Sequence, residues 1–367
     1  NNELINVDGT SAPAGIDLSA DKPTYDELTI TENSFSGDED YAAITVDDIS
    51  GSSTSELTNN VIEGASAGIN LETAVDSSDT TLNIDENEIT LDADTNNAIF
   101  VAGGSNGEVT VSSNTIVADH EAAATGINIA AASSSDVISV TDNTVTGFDD
   151  ASGDGVAILL NDGSENVAAT GNQLSNNAVH FDAGSYTIDD LVSENTLDNV
   201  VLVFDEEGGN IAVDAALGTV EAGVNGFNTA DGQYVEVGPG TYEENSITVA
   251  NDVVISSADG ASETTLTTST ANPILNLDGS TDDEDITVSG LTFAAGEDTA
   301  ASEVTIDTSA GGSSDDTVTI EDSVFAGPGT SDRTAITLQQ ADADGGPVTI
   351  NVQDNEISNY ATGIAVA

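Results

Sequence analysis

The sequence predicts an all-β chain wound as a right-handed parallel β-helix (solenoid). It has two β-helical units in tandem and a short capping or linker helix between them. Three observations carry this: a short repeat centred on asparagine, period-two alternation of apolar residues around it, and a long repeat that makes the end of the sequence mirror its beginning.

The short repeat reads apolar-x-apolar-x-x-Asn-x-apolar. It runs through Leu28, Ile30, Asn33, Phe35, then Leu82, Ile84, Asn87, Ile89, then Val109, Val111, Asn114, Ile116, and Ile138, Val140, Asn143, Val145. Looser copies hold Asn60, Asn172 and Asn195. The spacings from Asn33 to Asn195 are 27, 27, 27, 29, 29 and 23 residues. A further copy holds Asn355.

Each copy carries a second short strand, often opened by glycine, as in Gly68-Ile69-Asn70-Leu71 and Gly126-Ile127-Asn128-Ile129. Alternation in both segments gives strands with one buried face, and Gly and Asp between them supply permissive turns. A unit this short cannot bury its own apolar face. Stacked on its neighbours it can, each strand pairing with its equivalent about 4.8 Å above. The recurring asparagines then have two tasks: occupying the left-handed corner, and hydrogen-bonding amide to amide up the stack. A β-sandwich also has short strands, but no reason to space asparagine in this way.

In the long repeat, residues 274–280 mirror 4–10, residues 318–325 mirror 28–35, and Ala335-Ile-Thr-Leu mirrors Ala43-Ile-Thr-Val. Asn355 to Gly363-Ile364 mirrors Asn60 to Gly68-Ile69, an offset of 355 − 60 = 295 residues. The expected organisation is a β-helix body over 1–204, a capping helix or linker over 205–231, and the start of a second β-helix over 232–367. The expected helix covers Ile211–Val224, with Gly218 and Gly223 weakening it.

The repeat pattern resembles that of the pectin-lyase-like superfamily. Its most specific part is Asp231-Gly-Gln-Tyr-Val-Glu-Val-Gly-Pro-Gly-Thr-Tyr242, which looks like the opening rung of that family, where a helix precedes such a strand and turn. The resemblance implies the fold. It does not imply the activity.

Charge sets the environment and removes partners. The chain carries 67 Asp and Glu against Lys22 and Arg333, a net charge of −65. An acidic disordered tail has no reason to keep 38% hydrophobic residues in register, so the expectation is a folded protein of a halophilic archaeon. The Debye length falls from roughly 10 Å at 0.1 M salt to about 3 Å at 1 M, which relieves such self-repulsion. Two basic residues cannot neutralise nucleic-acid phosphates or hold anionic lipid. With no cysteine there are no disulfides, and no apolar run reaches the ~20 residues of a membrane span. The sequence has no Met, so it is expected to be processed or a segment of something longer; it shows no signal peptide and no Asn-x-Ser/Thr sequon.

Chemistry is sparse in the sequence. Resemblance to the superfamily implies polysaccharide lyases, hydrolases or epimerases, and lyases of this fold need basic residues that this chain almost lacks. The acidic pairs Asp47-Asp48, Asp149-Asp150, Asp189-Asp190 and Asp315-Asp316 read as solvated loops, and Asp119-His120-Glu121 is the one local acid–base cluster. His180 alternates outward from its strand. No catalytic residue is assigned.

Oxygen-rich turns are candidates for structural Ca²⁺: Asp150 with Asp154, then Asp282, Asp283 and Asp285, then Asp342 and Asp344. No other cofactor is expected. The expected function is a structural or adhesive fibre at the cell surface or outside the cell, with further copies of itself and surface glycans as partners. The alternatives are a carbohydrate-active enzyme on the same fold and a viral tail or host-recognition fibre.

Overall fold

The computed structural model describes residues 3–5, 14–18, 27–37, 42–46, 49, 53–72, 80–92, 96–102, 107–118, 124–130, 137–149, 155–161, 167–182, 188–209, 211–212, 215–226, 232–244, 246–270, 272–278, 285–294, 302–307, 317–329, 333–339 and 349–367. These residues form a parallel β-solenoid divided into two compact units, Asn1–Asp198 with Asp214–Gly218, and Asn199–Val213 with Thr219–Ala367.

In the first unit each coil contributes one short strand to each of three walls. One coil is Thr81–Asp85, Glu88–Leu91 and Asn97–Val101; the next is Glu108–Ser112, Thr115–Ala118 and Thr125–Ile129. They stack parallel and in register: Leu82 beside Val109, Ile89 beside Ile116, Ile99 beside Ile127. The register follows from alternation, because a slip of one residue would turn every apolar side chain outward. Inward positions therefore form columns up the stack, such as Phe35, Ile62, Ile89, Ile116, Val145 and Leu174, all essentially buried. Each such side chain contributes about 1.5–3 kcal/mol of burial.

The corners differ from the sequence expectation. The left-handed conformation falls on the residue before six of the first unit's seven ladder asparagines: Glu32, Asn59, Glu86, Ser113 and Asp142, with φ between 54° and 57°, and Gly171 at 71°. The asparagine itself turns inward and is buried. Its amide is worth more inside, where backbone groups at the bend need partners, than at the exposed corner.

Two segments were not legible. Ile188–Glu194 is a short α-helix in the first unit. Within Ile211–Val224, where a helix is expected, Ala215–Leu217 is a strand antiparallel to Val179–Asp182, and the helical residues are confined to the short segment 220–226. Gly218, at the break, accounts for the interruption. A Cβ there would stand 2.1 Å from the Asn177 carbonyl oxygen, so this point requires close backbone approach.

The second unit opens with Val201–Phe204 antiparallel to Gln233–Val237. Parallel coils follow, for example Asp285–Ser289, Thr292–Phe293 and Ser302–Asp307, then Thr317–Glu321, Val324–Ala326 and Thr334–Gln339, then Thr349–Gln353, Glu356–Ser358 and Thr362–Val366. Phe293 and Phe325 stack at 4.8 Å between ring centroids. Tyr242 is buried, and its hydroxyl lies 3.0 Å from the Gly238 carbonyl and 3.1 Å from that of Val200 while accepting the Val200 N–H. The buried Glu244 carboxylate accepts the N–H of Val220 at 2.6 Å, satisfying a donor at the start of the helical segment. No helix among the described residues is long and apolar enough to cross a membrane.

Candidate functional site

The most extended polar construction in the first unit is the asparagine ladder. Asn87 shows its unit geometry. Its Oδ1 accepts the backbone N–H and an Nδ2–H of Asn60, each at 3.0 Å. Its Nδ2 donates to the Leu57 carbonyl at 2.8 Å and to Asn114 Oδ1 at 2.9 Å. All four bonding positions of the amide are used. The same links join Asn33, Asn60, Asn87, Asn114, Asn143, Asn172 and Asn195 in order. The ladder closes on backbone: Asn195 Nδ2 donates to Ala169 O at 2.9 Å and to Leu191 O, within the α-helix, at 2.7 Å.

In the second unit the ladder is shorter and mixed. Asn355 Oδ1 accepts the Ser323 N–H at 2.9 Å, its Nδ2 donates to the Ile320 carbonyl at 2.8 Å, and Ser323 Oγ receives the Leu291 N–H. Ser323 was missed in the sequence because serine breaks the pattern. The signal was present in Ser323-Val-Phe325, whose phenylalanine is buried as in Asn33-Ser-Phe35. Asn177 was missed as well; it accepts the Phe148 N–H and donates to the Val145 carbonyl, starting a second inward amide at another corner.

Of the Ca²⁺ candidates, Asp150, Asp154, Asp282, Asp283, Asp342 and Asp344 lie outside the described residues, as do Lys22, His120 and the pairs Asp47-Asp48 and Asp315-Asp316. Asp285 is exposed and opens the strand Asp285–Ser289. Its backbone N–H donates to Asp252 Oδ1. Among the described residues there is no group of three or more His, Asp or Glu side chains placed to hold a metal ion.

An open groove of about 420 Å³ lies on the outer face of the wall holding Thr81–Asp85, lined by Glu56, Thr58, Asn59, Asn83, Asp85 and Ser112. Ser112 Oγ donates to Asp85 Oδ1 at 2.8 Å. The lining offers hydroxyls, amides and carboxylates for hydrogen bonding but no imidazole to activate the serine.

His180, expected to point outward from its strand, is instead fully buried. Two features cover it: Gly218 packs against the ring, and Asp198 Oδ1 lies 3.3 Å from Nε2. The sequence could not show this, since the covering residues lie 18 and 38 positions downstream.

The second unit also buries a charge. Arg333 is 6% exposed and Glu303 0%, with Nη1 and Oε1 separated by 3.7 Å, and the Tyr360 hydroxyl donates to the same Oε1 at 3.2 Å. Burial pushes the Glu303 carboxyl above the ordinary glutamate range, and the Tyr360 hydrogen bond and the Arg333 charge offset this only in part. Burial and the adjacent carboxylate push the Tyr360 hydroxyl upward too. Neither Glu303 nor Tyr360 stood out in the sequence.

No family model matches the chain, and no curated protein or solved structure matches it either.

Proposed function

We propose that this chain is a structural or adhesive fibre protein of a halophilic archaeon, working at the cell surface or outside the cell and lengthening by the stacking of like coils. The observation that carries this reading is the coil Thr349–Gln353, Glu356–Ser358 and Thr362–Val366. Its residues repeat the inward pattern of earlier coils, Ile364 standing in register with Ile336, yet Ile364 is 44% and Val366 70% exposed. Parallel strands with open backbone groups and uncovered apolar side chains template further pairing. A coil of the same kind satisfies both needs at once, whether it comes from the same polypeptide or from another copy.

The fully bonded asparagine ladder supports a mechanical role, since it ties successive coils together inside a buried interior. We read the winding as right-handed, because crossovers between parallel strands of one sheet are right-handed in about 98% of cases. With the repeat pattern, that reading supports a likeness in architecture to the pectin-lyase-like solenoids. The charge of −65 supports a briny setting.

The test is sedimentation velocity with electron microscopy in molar salt over a range of concentrations. The expected result is rods that lengthen with concentration, and that stay at single-chain length when Ile364→Asp and Val366→Asp are combined. A single species of one-chain mass at every concentration would overturn the reading.

A further inference from the structure

Arg333 is one of only two basic side chains in the sequence, and the second unit spends it in its interior. The groups around it come from three successive coils. Glu303 lies in Ser302–Asp307, Arg333 immediately precedes Thr334–Gln339, and Tyr360 stands two residues before Thr362–Val366. The coils are also joined by backbone here: the Arg333 carbonyl accepts the N–H groups of Ala361 and Thr362, both at 3.1 Å. On the opposite side the contact is backbone too, Ile274 N–H to the Glu303 carbonyl at 2.8 Å.

The electrostatics of this cluster are unbalanced. At 3.7 Å the Arg333–Glu303 contact is too long for a hydrogen bond, and neither Glu303 Oε2 nor Arg333 Nη1 has a hydrogen-bond partner. An ionised carboxylate without exposure needs several good partners to offset its lost hydration. Here it has one hydrogen bond, from Tyr360, and one long ion pair.

We propose that Glu303, Arg333 and Tyr360 form a protonation-sensitive clamp that ties these three coils of the second unit together, tightest when the Glu303 carboxyl is neutral. Among the described residues, the charged and titratable groups that face Glu303 are Arg333 and Tyr360, and both favour ionisation; burial opposes them and prevails. The folded protein therefore holds the Glu303 proton more tightly than the unfolded chain does. The clamp's contribution is complete below the ordinary glutamate value of 4.5 and is lost as pH rises through the higher folded value. Molar salt does not remove the effect, because a buried group is screened far less than an exposed one.

Hydrogen exchange tests this locally, in molar salt and at a dilution that keeps the chain unassociated. The readout is the protection of the amides at 361–366, corrected for intrinsic rates, across a pH series starting near 4. In the unmodified chain protection should fall with rising pH by about tenfold for each unit that the folded value stands above the unfolded one. Glu303→Gln, which mimics the neutral acid, should hold protection level. Tyr360→Phe, which removes the one hydrogen bond favouring the charged form, should extend the loss to higher pH. Protection that is flat in the unmodified chain, or that changes in parallel in the unmodified chain and Glu303→Gln, would overturn the clamp. Should Glu303→Gln not fold, the unmodified chain and Tyr360→Phe still decide the matter.

Discussion

Asn114 sits midway along the ladder with no exposed surface, and its amide serves four partners. Asn114→Ala strands the Asn87 N–H and the Asn87 amide, and removes a donor from both Ile84 O and Asn143 Oδ1. An unsatisfied buried group costs about 1–3 kcal/mol, so a loss of about 3 kcal/mol or more is expected. Asn195→Ala removes a comparable set of bonds where water can enter and should cost less than half as much. Denaturant midpoints at one fixed salt concentration measure the difference; equal costs would show that the ladder is not a buried network. The ladder positions were legible because asparagine recurs at coil spacing. The strained residue was not, because Glu32, Glu86 and Asp142 share a conformation rather than a side chain.

Strands were legible wherever both neighbours repeat them, since alternation alone sets which face is buried. Gly68 shows how closely the coils of the first unit meet. It is the second residue of Ala67–Leu71, and a Cβ there would stand 2.3 Å from the Ala98 carbonyl oxygen and 3.0 Å from Ile89 Cγ2. Gly15 and Gly126 meet the Ala43 and Ala157 carbonyls in the same way, so along this column Gly and Ala alternate from coil to coil. Gly68→Ala is therefore expected to cost about 1–3 kcal/mol as overpacking, although Ala is ordinarily the better strand residue of the two. Thermal unfolding of the variant gives the sign directly, and a variant as stable as the parent would mean that the coils can move apart. The segment around Gly218 was misread for a related reason. Its residues permit a helix locally, and the choice against one is made by Asn177 and His180, which lie about 40 positions upstream.

At the scale of the whole molecule, apolar burial and charge pull in opposite directions. The interior is buried and regular, with a continuous ladder in the first unit, and its hydrogen bonds and apolar contacts need no screening of charge. The acidic side chains do, because 67 of them face two cations, and Arg333 is already committed to the interior. Screening at about 3 Å in molar salt leaves each carboxylate nearly independent; at 10 mM the Debye length is about 30 Å and the repulsion of all of them adds together. Dialysis to low ionic strength should therefore unfold or disassemble the protein. Circular dichroism would follow the loss of the β-type spectrum, and sedimentation the loss of any rods. Salt acts in two ways, however, since sulfate also strengthens apolar burial by exclusion from the surface. Titration with sodium chloride and with sodium sulfate at matched ionic strength separates them. If screening is the cause, the two transitions coincide on an ionic-strength axis. If sulfate restores the fold at far lower ionic strength, the limiting term is burial, and the acidic surface must owe its composition to something other than repulsion. An unchanged spectrum in low salt would remove the argument for a briny habitat altogether, and leave the ladder and the columns of Ile, Leu and Val as sufficient to hold the solenoid unaided.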